Sequence, residues 1–111
     1  MTPEESRRFP RAEAPLKIYY SSEFEPNEQA VGAEDLSASG ISFQTGHSYS
    51  REDILKLRLE LLEMKKTIHA EGRVIRSFEK EDKIITAVEL FNIDYEDFIL
   101  ILDYSLAFYK Q

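Results

Sequence analysis

A chain of 111 residues and 12.9 kDa suits one domain and leaves little room for a second. Its 21 acidic residues outnumber 14 Lys and Arg, a formal net charge of −7, which disfavours sequence-blind binding to DNA, RNA or an anionic lipid surface. Cysteine is absent, so disulfides, thiolate catalysis and cysteine-ligated metal sites are excluded. No apolar run approaches the roughly 18–20 residues of a membrane span, and the acidic start, Met1-Thr2-Pro3-Glu4-Glu5, is unlike a signal peptide. With 42% hydrophobic residues there is enough apolar material for one core, and the expectation is a soluble, cytoplasmic, single-domain protein.

Residues 1–14 carry no apolar periodicity and contain Pro3 and Pro10; they are expected to form a flexible arm. Leu16, Ile18 and Tyr20 alternate with Lys17 and Tyr19, the period of a half-buried strand. After a turn around Pro26, Gln29 to Leu36 predicts a second strand, with Val31, Ala33 and Asp35 sharing one face. Ser37-Ala38-Ser39-Gly40 breaks the pattern, and Ile41-Ser42-Phe43 resumes it as a third strand. Between Ile54 and Leu61, Leu55, Leu57, Leu59 and Leu61 point inward; leucine favours helix, but the strict period of two favours strand. Thr67 to Phe78 and Ile84 to Phe91 form a hairpin joined by the charged stretch Glu79 to Lys83. Then the period changes: Tyr95, Ile99, Leu102, Leu106 and Tyr109 make a helical stripe, with Asp94 and Asp97 resembling a capping start for a helix over about 94–110. Six antiparallel strands and a terminal helix predict a small β-barrel whose open end or edge the helix covers.

Nothing in the chain has the pattern of a catalytic centre. His47 lies in a loop and His69 in a strand, without the spacing of metal ligands; Ser37, Ser39 and Ser42 lack a neighbouring base; paired carboxylates such as Glu81-Asp82 fall in solvated segments. The protein is therefore not expected to be an enzyme or to hold a metal or cofactor.

Two short segments do carry chemistry. In Arg7-Arg8-Phe9-Pro10-Arg11, Pro10 restricts Phe9 to extended geometry, so the guanidiniums sit on an extended tether. Each offers a planar fork of donors suited to phosphate oxygens or to O6 and N7 of guanine. A solvated basic arm paired with Glu4, Glu5 and Glu13 is the plainer alternative. In Asp35-Leu36-Ser37-Ala38-Ser39-Gly40 the Asp and Ser make a sensible turn on their own. An ionised Asp can also accept N1–H and the exocyclic N–H of guanine, where adenine presents a lone pair. Ser37 adds a hydrogen bond and Gly40 permits close backbone approach.

An Arg-x-x-x-Arg pair (Arg7, Arg11) before the first strand, followed by Asp-x-Ser-x-x-Gly (Asp35, Ser37, Gly40) after the second, resembles the PilZ family of bacterial cyclic di-GMP receptors. The resemblance extends over nearly the whole chain, through Gly72-Arg73-Val74 and Ala87 to Phe91. It departs at Ala87, where a glycine is common, a difference expected to lie away from the ligand site. The family implies a six-stranded antiparallel barrel over residues 15–111 with a C-terminal helix. It also implies that the arm of residues 1–14 folds over cyclic di-GMP, the output being a changed surface. Arg7, Arg11, Asp35, Ser37 and Gly40 are then the ligand-binding residues. Arg8 and Arg76 are secondary candidates, Arg76 being alternatively a surface arginine paired with a glutamate.

Beyond its stripe the helix also carries Phe98, Ile101, Tyr104 and Phe108; these either belong to one wide stripe buried against the sheet or leave an apolar face for a protein partner or a homodimer. The main alternative function is a PilZ-like protein–protein adaptor that does not use nucleotide. A single-stranded nucleic-acid barrel conflicts with the acidic charge.

Overall fold

The computed structural model describes residues 16–36 and 40–109. Six antiparallel strands, β1 (Leu16–Ser21), β2 (Gln29–Leu36), β3 (Gly40–Thr45), β4 (Ile54–Leu61), β5 (Lys66–Lys80) and β6 (Lys83–Phe91), close into a barrel in the order β1-β2-β3-β6-β5-β4. The β1–β4 pairing, from Leu16↔Leu61 to Ser21↔Lys56, completes the closure. A helix, α1 (Tyr95–Tyr104), follows and ends in a π-helical turn, Ser105–Tyr109. The fold is the one expected from the periodicities.

The leucine alternation of β4 decides its conformation. Leu55, Leu57, Leu59 and Leu61 are buried together with Ile18, Tyr20, Phe43, Ile68 and Val88, while Lys56 is exposed and Arg58 half-exposed. A helix would spread the four leucines around its circumference; the strand sends all of them inward. The charged stretch between β5 and β6 shrinks to a two-residue turn. Glu81 and Asp82 both have positive φ (53° and 66°), the handedness that matches the twist of a hairpin, so pairing continues to Lys80↔Lys83.

Two strands carry bulges that reverse their facing. In β2 the register runs Ala33↔Phe43 and then Asp35↔Ser42, leaving Glu34 as the extra residue. In β5 it runs Val74↔Val88 and then Arg76↔Ala87, leaving Ile75 as the extra residue. A bulge inserts one residue against none on the partner, so the inward positions change parity. Ala33 and Leu36 are therefore both buried while Asp35 is exposed, correcting the expectation that Asp35 shares the face of Ala33. Likewise the inward positions of β5 are Ile68, Ala70, Gly72 and Val74 before the bulge, and Arg76 beyond it is exposed.

The helix packs through a different face from the predicted one. Ile101, Tyr104 and Ser105 are buried, whereas Tyr95 is 77% and Leu106 64% exposed. The side chains of Phe108 and Tyr109 lie outside the described part. Two polar anchors set the orientation: Asp97 pairs with Lys66 at 3.3 Å, and the Ser105 hydroxyl donates to the Leu36 carbonyl at 3.2 Å. Asp97, Ile101, Tyr104 and Ser105 follow helical spacing, but the polar ends of this stripe conceal it from a search for apolar residues alone. Asp94 stands at the N-cap without a side-chain capping bond, so no capping box forms with Asp97.

Candidate functional site

The register places four residues from four adjacent strands in one lateral row. Asp35 of β2 opposes Ser42 of β3, Ser42 opposes Ala87 of β6, and Ala87 opposes Arg76 of β5. All four line one open groove of about 280 Å³ on the outer face of the barrel. The bulges make this row possible. Without the parity change at Glu34 and at Ile75, Asp35 and Arg76 would both point into an apolar interior, where a lone charge is costly.

Gly40 also lines the groove, at the start of β3, and its reason for being glycine lies in the sheet. A Cβ there would lie 2.3 Å from the Val88 carbonyl oxygen, a contact that side chains do not make. The close approach expected at Gly40 is therefore made by the backbone of β6. This packing holds β3 against β6, and so Ser42 beside Ala87.

Arg76 lies with its guanidinium 4.8 Å from the centre of the Phe78 ring. Among the described residues it forms no ion pair with a glutamate, which corrects the alternative reading of Arg76. A guanidinium on an aromatic face keeps its planar donors available for an anion or a base. At the groove margin, Lys80 Nζ reaches Glu34 Oε1 at 3.2 Å. This pair ties β5 to β2 across β3 and β6, which lie between them in the sheet.

Arg76, Phe78 and Lys80 are exposed and alternate along β5, giving a basic–aromatic–basic edge to the groove. β5 continues beyond Phe78, the end predicted from the periodicity, to Lys80; Lys80, Phe78 and Glu34 are groove residues not expected from the sequence. The pattern Arg-x-Phe-x-Lys on one strand face was the available signal. Ala87, expected to lie away from the ligand site, lines this groove, between Ser42 and Arg76 in the row.

Arg7, Arg8, Arg11 and Ser37 lie outside the described residues. Of the predicted site residues, the structure thus brings together Asp35, Gly40 and Arg76.

A second polar cluster occupies the end of the barrel away from the helix. The Glu25 carboxylate accepts from Tyr20 Oη at 2.9 Å and Tyr49 Oη at 2.8 Å, and from the Gly46 amide at 3.3 Å. Burial, reinforced by the Glu25 charge, pushes both phenols up, Tyr49 to about 12. His47, in the loop after β3, is half-buried and stacks on Phe24 with ring centres 4.4 Å apart. This network closes the end of the core with satisfied hydrogen bonds. Among the described residues, no group of His, Asp and Glu is arranged to hold a metal ion.

With this geometry in place, comparison with known proteins is specific. The family model of the PilZ domain matches residues 5–107. The solved structure of the Bacillus subtilis inhibitor of motility, MotI/DgrA, is similar with a TM-score of 0.71 and 25% sequence identity, over 82% of this chain and 45% of that one. The present chain therefore spans under half of that protein's length. No curated protein matches.

Proposed function

Since the chain belongs to the PilZ domain family, we propose that it is a cyclic di-GMP receptor that binds the dinucleotide in the groove bounded by Asp35 and Arg76 and acts through a changed surface, without covalent chemistry. The observation that carries this reading is the row Asp35–Ser42–Ala87–Arg76, which sets a carboxylate and a guanidinium at opposite sides of one concave surface. A guanine needs an acceptor for its Watson–Crick N–H groups and a donor fork for O6 and N7 or for phosphate. The row presents one of each.

The groove of about 280 Å³ is at the small end of ligand sites, which are typically ~300–1,000 Å³. The remaining contacts are assigned to Arg7, Arg8 and Arg11 of the N-terminal arm and to Ser37. Fixing the arm costs roughly 1–2 kcal/mol per residue, and charge-assisted bonds to a dianion with base stacking offset that cost. The arm then covers the groove, and the new surface is what a protein partner reads, in the cytoplasm.

Calorimetric titration with cyclic di-GMP, GTP and the cyclic adenine dinucleotide tests the reading. Selective binding of cyclic di-GMP is the expected result, and absence of heat with all three refutes it. One observation favours the adaptor reading. Tyr95 and Leu106 leave an exposed apolar face on the helix, a surface suited to a protein partner whether or not nucleotide is bound.

A further inference from the structure

The charges that line the groove do not explain how it would hold a dianion. Glu34 and Asp35 stand on one side and Arg76 and Lys80 on the other, so the described walls sum to no net charge. A second cation for phosphate, beside Arg76, becomes available only when an anion is displaced from it. Asp35 is the guanine acceptor on the reading above, and Arg76 lies over Phe78. That leaves Glu34 and Lys80, which hold each other at 3.2 Å.

This pair is built for exchange. Its partners come from β2 and β5, which are not adjacent, so no backbone pairing enforces the contact. The side chains are 42% and 54% exposed, and an ion pair of such exposure is worth little against solvent. Glu34 is the extra residue of the β2 bulge, adjacent to Asp35 in sequence, and Lys80 lies two positions beyond Phe78 on the same face of β5. An ammonium at that place borders the groove already, and its flexible stem allows it to turn inward without moving the strand.

We propose that Lys80 is a ligand-binding cation held in reserve by Glu34: on binding, its ammonium leaves the Glu34 carboxylate for a phosphate of the cyclic dinucleotide. This rests on the reading of the groove as a cyclic di-GMP site and adds a contact and a competitor to it. Glu34 thereby sets a threshold for binding, because an anion must outcompete a carboxylate already in place.

Calorimetric titration of the full chain with cyclic di-GMP tests the exchange through three variants, with thermal unfolding as the check on folding. Lys80→Ala is expected to weaken binding about tenfold, the scale of one charge-assisted hydrogen bond. Glu34→Gln is expected to tighten it about two- to fivefold, the scale of an exposed ion pair. In the double variant Glu34→Gln/Lys80→Ala the gain disappears, since no ammonium is left to release. If Glu34→Gln tightens binding equally with and without Lys80, Glu34 acts by plain repulsion of the ligand and the exchange is wrong. If wild type binds and Lys80→Ala binds equally well, Lys80 is not a ligand contact and the proposal falls while the groove stands. A wild type that binds no cyclic di-GMP overturns both.

Discussion

Replacing Gly40 with alanine separates two roles that the sequence motif leaves merged. The added methyl would lie 2.3 Å from the Val88 carbonyl oxygen, short of the 3.4 Å of ordinary contact by about 1 Å. The obstacle is backbone, so no rotamer relieves it, and β3 must draw away from β6 around Gly40↔Glu89. Overpacking costs about 1–3 kcal/mol and a loosened interstrand hydrogen bond about 1 kcal/mol more, giving ~2–4 kcal/mol in all. In a domain of this size that lowers the melting temperature by about 10–20 °C. Circular dichroism melts and urea titrations of Gly40→Ala measure the loss directly. Because Ser42 and Ala87 sit on the two strands being separated, cyclic di-GMP affinity should fall by more than about tenfold in the same variant below its melting point. If Gly40→Ala melts within a degree or two of wild type, the glycine is not required by the strand contact and its place in the groove must be explained by the ligand alone.

Three further outcomes are expected. Arg7→Ala and Arg11→Ala should each weaken cyclic di-GMP binding at least about tenfold, since each removes a charged donor fork; micromolar binding in the double variant contradicts the role of the arm. Asp35→Ala should abolish preference for the guanine over the adenine dinucleotide while leaving residual attraction to phosphate; preserved preference in competition titrations would assign base recognition elsewhere. Tyr49 holds its proton to about 12 in the folded protein, against 10.0 as its ordinary value, and Tyr20 is raised as well. Their contribution to stability is thus fully present below pH 10 and is lost as pH rises toward 12, because the unfolded chain ionises first. Urea midpoints measured from pH 8 to 11.5 should fall above pH 10, and less steeply in Tyr49→Phe; a flat profile for wild type excludes this linkage.

The parts of the fold visible in the sequence are those where one face meets apolar surroundings and the other meets water. The bounds of β2 and β4, the hairpin of β5 and β6 and the change of period at the helix all have that character. Bulges do not, because a single extra residue leaves composition and average alternation unchanged while inverting everything beyond it. Glu34 and Ile75 carry no mark that distinguishes them from ordinary strand residues. The helix face is hidden for a related reason: Asp97 and Ser105 are polar and yet packed, since each finds a partner, Lys66 and the Leu36 carbonyl. Of the candidate site, Asp35, Gly40 and Arg76 were legible from residue type. Lys80 and Glu34 were not, because their meaning comes from a contact 46 residues apart in sequence.

An acidic chain proposed to receive a dianion raises a physical question that the groove addresses locally. The formal charge of −7 is spread over the whole chain, and at physiological ionic strength charges more than about 8 Å from a ligand are largely screened. Among the described residues the groove presents the neutral sum of Glu34, Asp35, Arg76 and Lys80, and on the proposed reading Asp35 is engaged by a base. Until Lys80 is released from Glu34, the groove on this reading can orient a guanine but has little net attraction for phosphate. On the proposed reading the missing positive charge arrives with Arg7, Arg8 and Arg11, three guanidiniums on one short segment. Division of labour between a neutral groove that selects the base and a cationic arm that supplies affinity makes closure of the arm inseparable from binding. On that reading, coupling the two lets a small molecule alter the surface of a protein whose barrel is itself closed. It also makes affinity depend on salt chiefly through the arm: raising ionic strength should weaken wild type more steeply than Arg7→Ala/Arg11→Ala, while base selectivity through Asp35 stays constant.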